Sequence, residues 1–146
     1  MISVPQTARP DYALAREYLC RDSVEQRLFE RLDRSSRHFH LQIDHRNDDH
    51  FDPNTNTIAW DPYSALRTTH GGTQSPALGL GHEIAHAVEA PARESALAAR
   101  TMPHYDDAEE RRVIRGSERH AALTLGESVR FDHRGTTYRV ATPVSR

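Results

Sequence analysis

The sequence predicts a small single domain of the α+β class, and three observations carry that expectation. The chain has 146 residues, enough for one hydrophobic core of ordinary size but not for two. Segments with helical spacing and segments with strict alternation fall in separate blocks, not in a repeating strand–helix order. No internal repeat or low-complexity run points to a solenoid or a fibre. The expected order is N-terminal helices, a short antiparallel sheet, one long helix, several short helices and a C-terminal hairpin.

Two prolines mark residues 1–10 as an irregular arm. From Asp11 to Cys20, Ala13, Leu14, Tyr18 and Leu19 recur at helical spacing. Ser23 opens Ser-Val-Glu-Gln, a capping-box pattern, followed by Leu28, Phe29 and Leu32 on one face. Residues 1–35 therefore form an N-terminal helical segment, and residues 36–146 the rest of the same domain. Between Arg37 and Asp44, Phe39, Leu41 and Ile43 alternate with His38, His40 and Gln42, as in a half-buried strand. His45 to Asp52 is a polar loop, Asn56–Trp60 a short strand stopped by Asp61-Pro62, and Ser64–Thr73 a further loop. Ser75-Pro76 pairs an N-cap residue with a proline at the first helical position and predicts a helix to Glu89, ended before Pro91. Further helical turns are expected over Glu94–Arg100, from Asp107 to Ile114, and from Ser117 to Leu125. Arg130-Phe131 and Tyr138-Arg139-Val140 read as a hairpin turning at Arg134-Gly135.

Composition excludes several functions. Apolar stretches are too short for a membrane span. A formal net charge of −2 leaves no basic surface for nucleic acid. The single Cys20 forms no internal disulfide and reads as a small helix residue, not a nucleophile. Arg9, Asp11, Arg16, Glu17 and Arg21 break the first thirty residues, so no Sec-type signal peptide is expected. Two oddities remain. All 19 basic residues are arginine and none is lysine, which fits either a GC-rich genome or selection against lysine in a toxin acting in a foreign cytosol. The ten histidines favour metal chemistry.

His82-Glu83-Ile84-Ala85-His86 lies within the helix that starts at Ser75-Pro76. Helical geometry stacks His82 over His86, about 6 Å apart along the axis, where both rings reach one zinc ion at roughly 2.0–2.1 Å. Glu83 is offset by one residue, towards the coordination position where a water would sit, and can act there as general base. A catalytic zinc usually has three protein ligands. The longer His-Glu-x-x-His-x-x-Gly-x-x-His pattern is excluded by Glu89 and Ala92. The expected third ligand is a glutamate from a later helix: Glu110 first, with Glu109 and Glu118 behind it. Val113 and Ile114 would turn the Glu110 face inward, although Asp107 and Glu110 also form a capping box that explains this glutamate without a metal. Glu89 reads as a supporting partner or a solvated charge, and His120, His104 and Asp106 as reserve ligands. His38, His40, His45 and His50 read as exposed polar positions.

The chain resembles the NleD-type effector zinc metallopeptidases of Gram-negative bacteria. The resembling residues run from Asn54 to Tyr138: Asn56 to Pro62, Ser75-Pro76-Ala77, and Leu80 to Ala87 around the two histidines. After these come Glu109-Glu110, Ile114, Gly116, Ser117-Glu118, Leu125-Gly126-Glu127, Arg130 and Tyr138. Arg119 stands where the family tends to have Asn. The resemblance implies a zincin-like, gluzincin-type metallopeptidase core over residues 36–146, with Zn²⁺ held by His82, His86 and the Glu109-Glu110 pair, and Glu83 as base. It also implies a secreted effector or toxin, a virulence factor delivered by a type III or type VI-like route. Such a protein would be cytoplasmic in the producer, would cut a protein substrate inside a target cell, and would have a secretion-system or immunity partner.

The expected activity is zinc-dependent endopeptidase hydrolysis. Tyr105, Tyr138, His120 and Arg130 are candidate oxyanion donors, and the Asn56–Trp60 strand a candidate edge for an extended substrate. The competing expectation is a non-catalytic, zinc-stabilised interaction module associated with a secretion system. A lysine-poor immunity or chaperone protein is weaker, since it has no use for a catalytic-type motif.

Overall fold

The computed structural model describes residues 1–89, 100–102 and 104–146. The expected turns over Glu94–Arg100 and the stop at Pro91 lie largely or wholly outside the described residues. Elsewhere the chain is a mixed α+β domain arranged around one helix. That helix, α3 (Pro76–Glu89), is buried along nearly its whole length, from Pro76 to Ala87 apart from a half-buried Gly79. Ala77, Leu78, Leu80, Ile84, Ala85 and Ala87 spread round the cylinder, so α3 has no polar face to give to water and must be wrapped.

The wrapping comes from four directions. Helices α1 (Arg9–Leu19) and α2 (Ser23–Arg34) cover α3 with Leu19, Leu28, Phe29 and Leu32, all essentially inaccessible to solvent. Asp22, not the expected Ser23, caps α2, its Oδ1 accepting from the Val24 and Glu25 N–H groups at 3.0 and 2.9 Å. On another side lies a sheet of β1 (Ile2–Ser3), β2 (Phe39–Ile43), β3 (His50–Asp52) and β4 (Thr57–Trp60), in the order β1-β2-β4-β3. β1, β2 and β4 run parallel and only β3 is antiparallel, so the sheet is mixed where an antiparallel one was expected. The connection from β2 to β4 makes room for this by passing through β3. β4 is interior, between β2 and β3, and the exposed edge next to it belongs to β3. The Asn56–Trp60 strand is therefore unavailable as a substrate edge, because its main chain already pairs on both sides.

The second sheet, β6-β5-β9, joins β5 (Ser64–Arg67), β6 (Thr73–Gln74) and β9 (Thr136–Arg139). It replaces the expected C-terminal hairpin: β9 pairs antiparallel with β5 from Ser64↔Arg139 to Arg67↔Thr136, and Arg130-Phe131 forms no strand. The start of α3 is fixed where the sheets meet. Trp60 Nε1 donates to Pro76 O at 2.8 Å, and Ala77 N–H to Pro143 O at 2.8 Å. Glu127 accepts from Ser75 N–H and Ser75 Oγ, while Tyr18 OH donates to the same carboxylate at 2.6 Å. After the two-stranded turn β7 (Thr101–Met102) and β8 (Asp106–Asp107), the chain returns to α3 through α4 (Ala108–Val113), a π-type turn at Ile114–Glu118 and α5 (Arg119–Leu125). No described helix is long and apolar enough to cross a membrane.

Candidate metal centre

Four residues of helix bring His82 and His86 together as the spacing requires. Their Nε2 atoms face each other at 3.0 Å, and the ring planes stand at 76°. The Glu110 carboxylate, from the first turn of α4, closes the triangle: Oε2 lies 2.9 Å from His82 Nε2, and Oε1 3.2 Å from His86 Nε2. In a tetrahedral zinc site, donor atoms are separated by about 3.3 Å, given bonds of roughly 2.0–2.1 Å. The observed separations are within a few tenths of an ångström of that. His82, His86 and Glu110 are the group of described residues able to converge on one metal ion.

Each of the three candidate glutamates goes to a different atom, and this sorts their roles. Glu110 faces the two Nε2 atoms, where an ion would be. Glu118 Oε1 meets His82 Nδ1 at 2.9 Å, and Glu109 Oε1 meets His86 Nδ1 at 3.1 Å. A carboxylate on Nδ1 fixes the tautomer and ring angle that leave Nε2 free to ligate. Glu109 and Glu118 thus meet the outer nitrogens of the two rings, and Glu110 the inner ones. The capping box is half formed: Asp107 Oδ1 accepts from Glu110 N–H at 2.8 Å, while the Glu110 side chain turns to the histidines. Capping by Asp107 orients α4 so that Glu110 can reach them.

Glu118 reaches His82 because the chain widens at Ile114–Glu118, with Gly116 at φ −100° and ψ −108°. Arg130 holds it there, Nη2 and Nε donating to Oε1 at 2.6 and 3.0 Å. Arg112 donates to Glu109 and also to Glu89 at 3.0 Å, and Arg31 on α2 binds the other Glu89 oxygen at 2.8 Å. Glu89 therefore ties α2 to α4 and supports the Glu109–His86 pair at one remove.

The charges follow from these contacts. Burial works against protonation of His82, but hydrogen bonds with Glu110 and Glu118 outweigh it and raise the pKa. For His86, burial is again overcome, by Glu109 and Glu110, and the pKa is pushed up to about 10. Burial would raise the carboxylates. His82 and His86 instead hold Glu110 far below the usual range, and Arg130 with His82 brings Glu118 down to about 2. The two imidazoles thus face a ring of carboxylates that favours positive charge between them. A divalent cation at that point would meet ligands already arranged to receive it.

The general-base candidate, Glu83, is buried, with Oε1 3.9 Å from His82 Nε2. It opens on a cleft of about 240 Å³ between the Asn47–Asp49 loop and the β5-β6-β9 sheet. His133, on the lip of this cleft, had no sequence signal. Its ring stacks on His82 with centroids 6.1 Å apart, and Nε2 is 3.3 Å from Glu110 Oε2. Asp106 Oδ2 binds its Nδ1, and its N–H donates to His104 O at 2.6 Å. His104 and Asp106 both have positive φ, 72° and 65°, an uncommon conformation for residues with a Cβ. The tight β7–β8 turn they make carries Asp106 to His133.

Of the expected oxyanion donors, Arg130 lies in the cleft but is committed to Glu118. His120 is bound to Asp22 at the start of α2, and the Tyr138 hydroxyl is buried with no partner among the described residues. His38 and His40 sit with ring centroids 4.8 Å apart on the outer side of β2, and no described metal-ligating group includes them. Comparison with protein-family models, curated proteins and solved structures returns no match.

Proposed function

We propose that the protein is a zinc-dependent endopeptidase of gluzincin type, acting as a secreted effector that cuts a protein in a target cell. The observation that carries the reading is the convergence of His82 Nε2, His86 Nε2 and the Glu110 carboxylate, with His82 and Glu83 lining an adjoining cleft. The resemblance to NleD-type effectors supports the delivery part of the proposal, and with it a partner in secretion or immunity.

A zinc ion bound by His82, His86 and Glu110 would supply Lewis acidity to a water and to the substrate carbonyl. The rest is done by side chains of this chain. Glu83 takes a proton from the water as its oxygen bonds to the carbonyl carbon, and gives that proton to the amine as the C–N bond breaks. His133, oriented by Asp106 on Nδ1, sets its Nε2 3.3 Å from Glu110 Oε2 and positions that carboxylate beside the two ligand rings. Glu118 and Glu109 hold the ligand rings still throughout.

Metal stoichiometry by inductively coupled plasma mass spectrometry tests the centre. About one zinc per chain is expected in the wild type, with loss in His86→Ala. Glu83→Gln should keep the zinc but lower proteolysis, or toxicity in a heterologous host, by at least about 10³-fold. Zinc binding with growth unaffected by the wild type would instead favour a zinc-stabilised interaction module.

A further inference from the structure

The cleft beside Glu83 has a chemical character that the hydrolytic machinery does not require. Asp48, Asp49 and Glu83 line it, and Leu66 is the sole large aliphatic side chain among the described lining residues. Its one arginine, Arg130, is already committed to Glu118. Asp48 is on the rim, with its side chain 73% exposed. Asp49 reaches further in and is fixed there: Oδ1 accepts from Asp61 N–H at 2.7 Å, while Oδ2 rests on α3 at Gly79. A Cβ at position 79 would stand 2.8 Å from that oxygen. Glycine within a helix costs about 1 kcal/mol relative to alanine, and at Gly79 the missing side chain is what lets Asp49 lean over the helix. Burial, and then the carboxylates of Glu83 and Asp61, push Asp49 up to about 8 against the pull of the Asp61 N–H bond. Asp49 is thus held as a neutral acid, which a cation entering the cleft would ionise.

The chain has 19 arginines and no lysine. An exposed arginine, Arg46, lies two residues from Asp48 with its side chain 87% exposed. An endopeptidase that accepted arginine in this cleft would meet its own preferred residue all over its surface and throughout its unfolded chain. One that accepted lysine would meet none.

We infer that the cleft takes a lysine side chain of the substrate protein, its methylene stem against Leu66 and its ammonium between Asp48 and Asp49, and that the absence of lysine spares the protein from its own activity. The inference rests on the peptidase reading and adds the substrate class to it.

Two measurements test it and separate its failure from that of the parent reading. The first needs no turnover. Fluorescein-labelled Ala₃-X-Ala₃ peptides, with X as lysine, arginine or norleucine, are titrated against zinc-loaded Glu83→Gln protein and followed by anisotropy. Lysine should bind about tenfold more tightly than arginine or norleucine, and Asp49→Asn should remove the difference. Equal binding of lysine and norleucine, or a preference untouched by Asp49→Asn and Asp48→Asn, overturns the inference. The second measurement uses wild-type enzyme on synthetic peptides tiling residues 1–60 of its own sequence. Natural tiles should stay intact, and tiles carrying Arg9→Lys, Arg34→Lys or Arg46→Lys should be cut beside the new lysine. Natural tiles cut as readily as the substituted ones overturn the inference and leave the peptidase standing. If no tile is cut while lysine still binds selectively, the cleft is as described and the peptidase reading fails.

Discussion

Two glutamates packed against α3 make the most instructive pair in the molecule. Glu25 approaches from α2 and Glu118 from the turn after α4, and both are essentially hidden from solvent, at 0% and 2% exposure. Burial raises the carboxyl pKa in both cases. In Glu118 it is overruled by the charge of Arg130 and the hydrogen bond to His82, and the group falls to about 2. In Glu25 it is reinforced by Asp22 and Glu118, and the group rises to about 8. No hydrogen-bond donor among the described residues reaches either Glu25 oxygen. Depth of burial thus decides little by itself. A buried acid is a fixed anion where the chain supplies a cation and a donor, and a neutral group where it supplies neither. The chain made the first arrangement on the metal side of α3 and the second on the side of the N-terminal helices.

Removing the cation from the first arrangement should have the largest effect. Arg130→Met leaves Glu118 charged and buried beside His82, and is expected to cost about 3–5 kcal/mol in urea denaturation. Arg130→Met with Glu118→Met should recover more than half of that loss. A double variant as unstable as the single one would mean that Arg130 stabilises through packing, and the contrast with Glu25 would lose its meaning.

Glu25 gives the next effect, and its sign follows from the direction of the shift. A carboxyl raised from its ordinary value to about 8 by folding contributes stability that is complete below about pH 4.5 and is lost as the pH rises through 8. The wild type should therefore weaken between pH 5 and pH 9, by about 4 kcal/mol. Glu25→Gln, neutral throughout, should match the wild type near pH 5 and exceed it at pH 9. Melting curves of both proteins at the two pH values measure this directly. A wild type with no such slope would place Glu25 in contact with water.

What the sequence made legible is divided along the same line between local and distant causes. The α3 helix and its two histidines are properties of fourteen consecutive residues, through the Ser75-Pro76 start and the four-residue spacing, and their geometry is as expected. Glu110 was identifiable because Val113 and Ile114 mark an inward face. Which of Glu109, Glu110 and Glu118 would meet Nε2 and which Nδ1 was not, since that depends on a widened turn at Gly116 and on Arg130 arriving from elsewhere in the chain. His133 gave no signal at all. It sits in a polar, aperiodic segment, and its partner Asp106 is delivered by two positive-φ residues in a separate turn. The strands β3 and β5 have the composition of loops for a related reason: three or four residues without clean alternation become strands only through distant partners. Asp49 and Glu25 carry no sequence signal, because their placement depends on two glycines of another element.

The metal side can be tested at its support as well as at its cation. Glu118→Gln keeps the size and one hydrogen bond but removes the charge behind His82. It should weaken zinc binding by about 10–100-fold in a chelator competition assay, and leave Glu83-dependent chemistry in the fraction still loaded. Unchanged zinc affinity would show that His82 is held by packing and not by its carboxylate.

The smallest effect concerns Gly81, which separates the two arrangements. A Cβ at this position would stand 2.7 Å from Glu25 Oε2 and 3.0 Å from Glu25 Cδ. Gly81→Ala therefore combines two opposite terms. Alanine in a helix is favoured over glycine by about 1 kcal/mol, and the buried Glu25 carboxyl must move to admit the methyl group. In the wild type these should nearly cancel or fall on the unfavourable side. In a Glu25→Ala background the obstacle is gone, and the same substitution should stabilise by close to the full helix preference. The difference between the two backgrounds is a coupling energy of about 1 kcal/mol, read from denaturation of the four proteins in one double-mutant cycle. If Gly81→Ala stabilised both backgrounds equally, the glycine would not be there to seat the glutamate. The close approach of Glu25 to α3 would then be a consequence of the missing side chain and not its reason.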